Sequence, residues 1–171
     1  MAIELGRRIM IIGSGGSGKS TLARRLGDKL ALPVIHLDRE YWNAGWVETP
    51  KEKWYEKQRR LVAEPAWIAD GNFGGSLEIR FNRADTVIFL DYNRFVCMYS
   101  VIKRWLTNIG KTRPDMAAGC FEKMDLDFLK WVWQFPKGGR RIIIEKMERY
   151  KSMKVFTIKN RRQLKRFLAK I

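Results

Sequence analysis

Residues 13–20 read Gly13-Ser14-Gly15-Gly16-Ser17-Gly18-Lys19-Ser20, a full match to G-x-x-x-x-G-K-[ST]. The chemistry of that spacing is polyphosphate binding. Glycines let the backbone wrap closely enough for several N–H groups to converge on one phosphate chain. Lys19 is placed to reach the β- and γ-phosphates, and Ser20, followed by Thr21, to offer a hydroxyl to a magnesium ion. The implied ligands are Mg2+ and a nucleoside triphosphate, read as ATP with GTP left open. Three aspartates, Asp38, Asp70 and Asp91, each close a short apolar run and are the candidate carboxylates for the same site.

The surrounding pattern supplies the elements that must position these groups. Ile9-Met10-Ile11-Ile12 reads as a buried strand, and Leu22, Leu26 and Leu30 beyond the loop mark one face of a helix. Strand, glycine loop and helix N-terminus form the context the motif requires. Further strands are expected over 33–37, 67–69, 85–90 and 155–158. Tyr41, Trp42 and Trp46 fall in a loop, and Thr49-Pro50-Lys51-Glu52 predicts a helix start capped by Thr49. A long helix spans 94–108 with Phe95, Ile102, Trp105, Leu106 and Ile109 as its apolar stripe. Residues 110–124 lack periodicity and read as mobile. Helices follow over 125–135 and 138–150, and a last one runs from its cap Asn160 to the end. Alternating strands and helices predict an α/β fold: a mainly parallel sheet, helices on both faces, and ligands beyond the carboxyl ends of the strands.

The chain has 171 residues, enough for one domain with a full core. It shows no signal peptide, no apolar stretch of membrane-spanning length and no zinc spacing around Cys97, Cys120 and its single His, so a reduced cytoplasmic setting is expected. Its charge is lopsided. Lys plus Arg number 34 against 18 Asp plus Glu, a net of +16, and residues 91–171 alone hold 20 against 7. That excess suits a polyanionic partner or a well-solvated surface.

Several segments together resemble the bacterial DNA topology modulation (FlaR-like) proteins. They are the glycine loop, His36-Leu37-Asp38, Trp67-Ile68-Ala69-Asp70-Gly71-Asn72, Gly110-Lys111-Thr112-Arg113-Pro114-Asp115-Met116 and Phe128-Leu129-Lys130-Trp131-Val132-Trp133. The resemblance covers nearly the whole chain. It implies a three-layer P-loop NTPase fold of the adenylate-kinase-like type, with a five-stranded parallel sheet of order 2-3-1-4-5. It also implies a single domain, 1–171, with a helical lid at about 109–139.

By that resemblance the chain is built as a small kinase whose acceptor is a small molecule or a nucleotide. Asp70-Gly71 is similar to the Asp-Gly that closes the matching strand in nucleoside monophosphate kinases, so Asp70 joins Ser20 as the magnesium-side pair, with Asp91 as the competing choice. Asp38 stands where small-molecule kinases of this fold carry a carboxylate on the acceptor hydroxyl, as general base or orienting group. Trp42, Gly71 and Arg80 are candidate acceptor contacts. The Pro-Arg that follows Asp-Gly-Phe in adenylate kinases is absent here, which points away from a nucleoside monophosphate. Arg104, Arg113 and one of Arg140 and Arg141, with Arg141 the choice, are expected to close over the phosphates. Asn160 is expected beside the donor base. His36, within an apolar strand, reads as a core or rim imidazole.

The last helix sorts Arg161, Arg162, Lys165, Arg166 and Lys170 onto one half and Leu164, Phe167, Leu168 and Ile171 onto the other. The competing reading is therefore a non-enzymatic nucleotide-binding protein that touches DNA weakly, without sequence preference, through its basic C-terminal half.

Overall fold

A computed structural model describes residues 2–171. Its centre is β1 (Arg8–Gly13), flanked by β5 (Trp67–Asp70) on one side and β6 (Thr86–Leu90) on the other. The outer strands are β2 (Val34–His36) and β7 (Lys154–Ile158). All pairings are parallel, in the order β2-β5-β1-β6-β7. Counting only the strands of this sheet, that is the expected 2-3-1-4-5. Because successive strand residues point to opposite faces, β1 feeds two cores. Ile9 and Ile11 pack with Leu22, Leu26, Val132 and Phe167 on one face, while Met10 and Ile12 pack with Trp67, Phe81 and Phe135 on the other.

The helices are α1 (Lys19–Leu30), α3 (Lys51–Leu61), α5 (Arg94–Asn108), α6 (Leu126–Gln134), α7 (Gly139–Arg149) and α8 (Arg161–Leu168), with short α2 (Leu37–Tyr41) and α4 (Leu77–Phe81). Asn93, Asp125 and Asn160 cap α5, α6 and α8 through their side chains. Among the described residues, no helix is long and apolar enough to cross a membrane. Both cysteines are buried and unpaired.

Four expectations change. The second strand ends at His36, and Asp38 lies in the first turn of α2 instead of at a strand end. The aromatic loop contains an antiparallel hairpin, β3 (Trp42–Asn43) with β4 (Val47–Glu48). Thr49 does not cap α3: its hydroxyl donates to the Tyr41 carbonyl, and Pro50 holds the cap position without a side-chain bond. On α5 the core side is Cys97 and Val101, while Phe95, Ile102, Leu106 and Ile109 are exposed. On that side α5 passes close under the glycine loop: a Cβ on Gly16 would sit 2.3 Å from the Cys97 carbonyl oxygen and 2.9 Å from Val101 Cγ2, so residue 16 must be glycine.

Candidate active site

The glycine loop, the start of α1, α2, the hairpin and the segment between α5 and α6 enclose a cleft of about 870 Å³ at the carboxyl edge of the sheet. Gly16 (φ 75°) is forced by the crowding just described. Gly18 (φ 90°) has the opposite surroundings: a Cβ there would meet nothing within 4 Å. The loop therefore rests on α5 with one side and opens to the cleft with the other. Behind it Asn72 forms a two-way clamp, accepting from Gly13 N–H at 3.0 Å and donating to Gly13 C=O at 2.7 Å.

The parallel register of β2 and β5 sets His36 beside Asp70. His36 Nδ1 lies 2.5 Å from Asp70 Oδ1, and Ser20 Oγ donates to Asp70 Oδ2 at 2.7 Å. Burial alone would lower the His36 pKa, but the Asp70 hydrogen bond and charge outweigh it and raise it. Lys19 Nζ donates to the Ser14 carbonyl at 2.7 Å. Burial lowers the Lys19 pKa, with Asp38 and Asp70 opposing; burial raises that of Asp38, with Lys19 opposing. Lysine and carboxylate are thus both short of solvation and coupled across the cleft.

The opposite wall comes from the segment read as mobile, and side-chain ion pairs organise it. Glu122, its side chain 5% exposed, bridges Arg104 at 3.1 Å and Arg113 at 2.7 Å. Arg113 also donates to Asp115 at 2.9 Å. Burial lowers the Arg104 pKa, with the charge of Arg113 adding to it. Burial would raise that of Asp115, yet the charge of Arg113 outweighs it and brings it below its ordinary value. The segment is tied to the hairpin as well: Gly45 N–H donates to the Gly119 carbonyl, and Trp46 Nε1 to that of Phe121.

Lys19, Ser20, Thr21, Asp38, Trp42, Gly71, Arg104 and Arg113 all line this cleft, and Asp70 reaches it through Ser20. Of the loop, Gly13, Ser14 and Ser17 do not line it, and both serines are buried; three candidates outside the loop do not line it either. Arg80 is fully buried, and its guanidinium donates to the carbonyls of Gly71 and Asn72, so it braces the strand end from behind. Arg141 is 79% exposed and pairs with Glu145 one helical turn on. Asn160 is occupied as the α8 cap, and its neighbour Arg161 lines the cleft instead. Asp91 is held by a two-pronged Arg140 at 2.8 and 2.9 Å, which leaves Asp70 as the carboxylate on Ser20.

Sequence reading gave no role to Asn72, Asp115 or Glu122. Asn72 follows Asp70-Gly71 directly and Asp115 stands two residues after Arg113, so both had a local signal; Glu122 had none, because its partners are distant in sequence.

The first turn of α1 offers N–H groups without helical partners, and Lys19 adds a cation, a donor set that fits a polyphosphate. Ser20 and Asp70 are hard oxygen donors suited to magnesium. Among the described residues, no cluster of three or more His, Cys, Asp or Glu could hold a metal ion, so such a metal would share this pair with phosphate and water.

The chain matches no family model and no curated relative. Among solved structures it is similar to shikimate kinase from Acinetobacter baumannii in complex with shikimate, with a TM-score of 0.57 and 14% identity, covering 95% of this chain and 90% of that one. It is also similar to shikimate kinase from Aquifex aeolicus, with a TM-score of 0.48 and 19% identity over 95% and 94% of the two chains. The chain therefore shares the α/β P-loop fold of a shikimate kinase, with its five-stranded parallel sheet of order 2-3-1-4-5.

Proposed function

We propose that this protein is an ATP-dependent small-molecule kinase that phosphorylates a hydroxyl. The observation that carries the reading is that Asp38 shares one cleft with the glycine loop and Lys19, while Arg104 and Arg113 line the same cleft. Phosphoryl transfer asks a protein mainly for positioning and charge neutralisation. Lys19, the loop amides, Arg104 and Arg113 neutralise the negative charge of the phosphates. Asp38 orients the acceptor hydroxyl and takes its proton as the oxygen–phosphorus bond forms, and the nucleoside diphosphate leaves with the bonding pair. Ser20 and Asp70 would hold magnesium, which supplies further charge neutralisation when bound. Trp42 and Trp46, edge to face at 5.5 Å, give the acceptor side aromatic walls.

The shared fold of a kinase solved with shikimate supports a small hydroxylated acceptor and does not name it. The test is a thermal-shift and ATP-consumption screen with magnesium across sugars, hydroxy acids, nucleosides and coenzyme precursors. The reading predicts consumption with at least one acceptor, lost in Lys19→Ala. ATP binding without any turnover would go against it.

One observation favours a second reading. Arg162, Lys165 and Arg166 form an exposed face on α8, with Lys170 exposed just beyond it, while Phe167 and Leu168 are buried. This fits the DNA contact implied by the likeness to topology modulation proteins. Such binding would weaken steeply with salt, in proportion to the phosphates neutralised. Neutralising Arg162, Lys165 and Arg166 together should flatten the salt slope; an unchanged slope removes this reading.

A further inference from the structure

The outer face of α5 carries an observation independent of the cleft. Phe95, Tyr99, Ile102 and Leu106 on the helix, and Ile109 just past its last residue, follow one another at steps of 4, 3, 4 and 3 residues. All five are exposed, Phe95 at 65%, Tyr99 at 63% and Leu106 at 57%. The core side of this helix is taken by Cys97 and Val101, and the cleft side by Ser100, Arg104 and Asn108. The third face thus presents an unpartnered apolar seam with a mean spacing of 3.5, the period by which one helix packs along another. α6 lies alongside and widens it: Trp133 meets the Phe95 ring edge-on at 5.4 Å.

The charges around the seam select the partner. α5 has no Asp or Glu and carries Arg94 and Lys103 outside the cleft; α6 has Lys130 against Asp127. Lys103 is exposed and directly follows the seam residue Ile102. A second copy would set basic rim against basic rim in a chain already at +16, and like charges across an interface disfavour that pairing. An anionic lipid surface would match the charge as well, and the vesicle arm of the test below separates it from a helix.

We infer that this face binds an acidic amphipathic helix of a partner protein. The partner lies along α5, its apolar residues on the seam and its carboxylates beside Lys103 and Arg94.

The test uses a fluorescent peptide of about three heptads with Leu at a and d and Glu at e and g, and its twin with Lys at e and g. Anisotropy with the full chain at physiological salt is the readout. The inference predicts that the Glu peptide binds at least about tenfold more tightly than the Lys peptide. Tyr99→Ser with Leu106→Ser should abolish binding. Lys103→Glu should reverse the peptide preference while leaving the seam intact. Circular dichroism and the thermal shift with ATP, unchanged in both variants, show that the fold is retained. Equal affinity for the two peptides overturns the inference. So does a dimer in sedimentation that Leu106→Ser dissolves, or binding to vesicles rich in anionic lipid with none to the Glu peptide.

Discussion

In the kinase reading Asp38 faces two opposed demands: it must be ionised to accept a proton, and its surroundings disfavour the ionised form. Burial lifts its pKa above the ordinary 3.8, so between the unfolded and folded values the folded state binds more protons. Stability therefore falls as pH rises through that window, and the ionised carboxylate remains a cost at neutral pH. Asp38→Asn should raise Tm at neutral pH while lowering kcat by about 10²-fold or more, as expected for a lost general base. Calorimetry beside a turnover assay checks both signs. Lys19 is displaced the other way, below 10.5, also by burial. If both groups must be charged, the kcat/KM profile rises with pH through the elevated Asp38 value and falls through the depressed Lys19 value. That bell is narrower than an exposed aspartate and lysine would give, and limbs at the ordinary positions would contradict it. Arg80 offers a contrast at the same scale. Its buried guanidinium saturates the Gly71 and Asn72 carbonyls, so Arg80→Met should cost on the order of 3 kcal/mol in urea unfolding. A change confined to acceptor KM would instead return Arg80 to the acceptor.

The elements differ in how plainly they could be read from sequence. β1, α1, α5 and α8 announce themselves because each combines a long enough apolar pattern with a cap or a glycine at the right place. The hairpin Trp42–Asn43 with Val47–Glu48 does not, since two-residue strands carry no periodicity. Nor does α2, whose five residues are too few to show a helical repeat. The apolar stripe of α5 shows a subtler failure. Periodicity finds an apolar face without saying what covers it, and here the glycine loop lies against the side of Cys97 and Val101. The segment after α5 looked formless because Glu122 and the two arginines, not a repeating pattern, shape it. Glu122→Gln would leave Arg104 with only a neutral partner, and Arg113 with Asp115 alone, while the two arginines still repel each other. It should cost on the order of 3 kcal/mol of stability and weaken ATP binding. Glu122→Asp should recover part of the ATP affinity. Equal ATP affinity in wild type and Glu122→Gln would show that the arginines do not depend on it.

For the molecule as a whole, the Ser20, Lys19 and Asp70 cluster was legible because motif and strand ends converge on one rim in any parallel α/β sheet. The rest of the cleft was not, because its wall is assembled from the hairpin, α2 and the segment after α5, which meet only in three dimensions. The basic excess is likewise divided by the fold. Arg104, Arg113 and Arg161 line the cleft, whereas Arg162, Lys165 and Arg166 face solvent on α8. Net charge alone could not make that separation. The kinase reading stands or falls on transfer from ATP to a second molecule. Its most direct measurement is phosphate transfer from γ-labelled ATP across the acceptor panel, run in parallel with wild type, Lys19→Ala and Asp38→Asn. The account predicts a labelled acceptor with wild type, none with Lys19→Ala, and a deep loss with Asp38→Asn although ATP still binds. Label appearing only as free phosphate, or on an acceptor at the wild-type rate with Asp38→Asn, would contradict it.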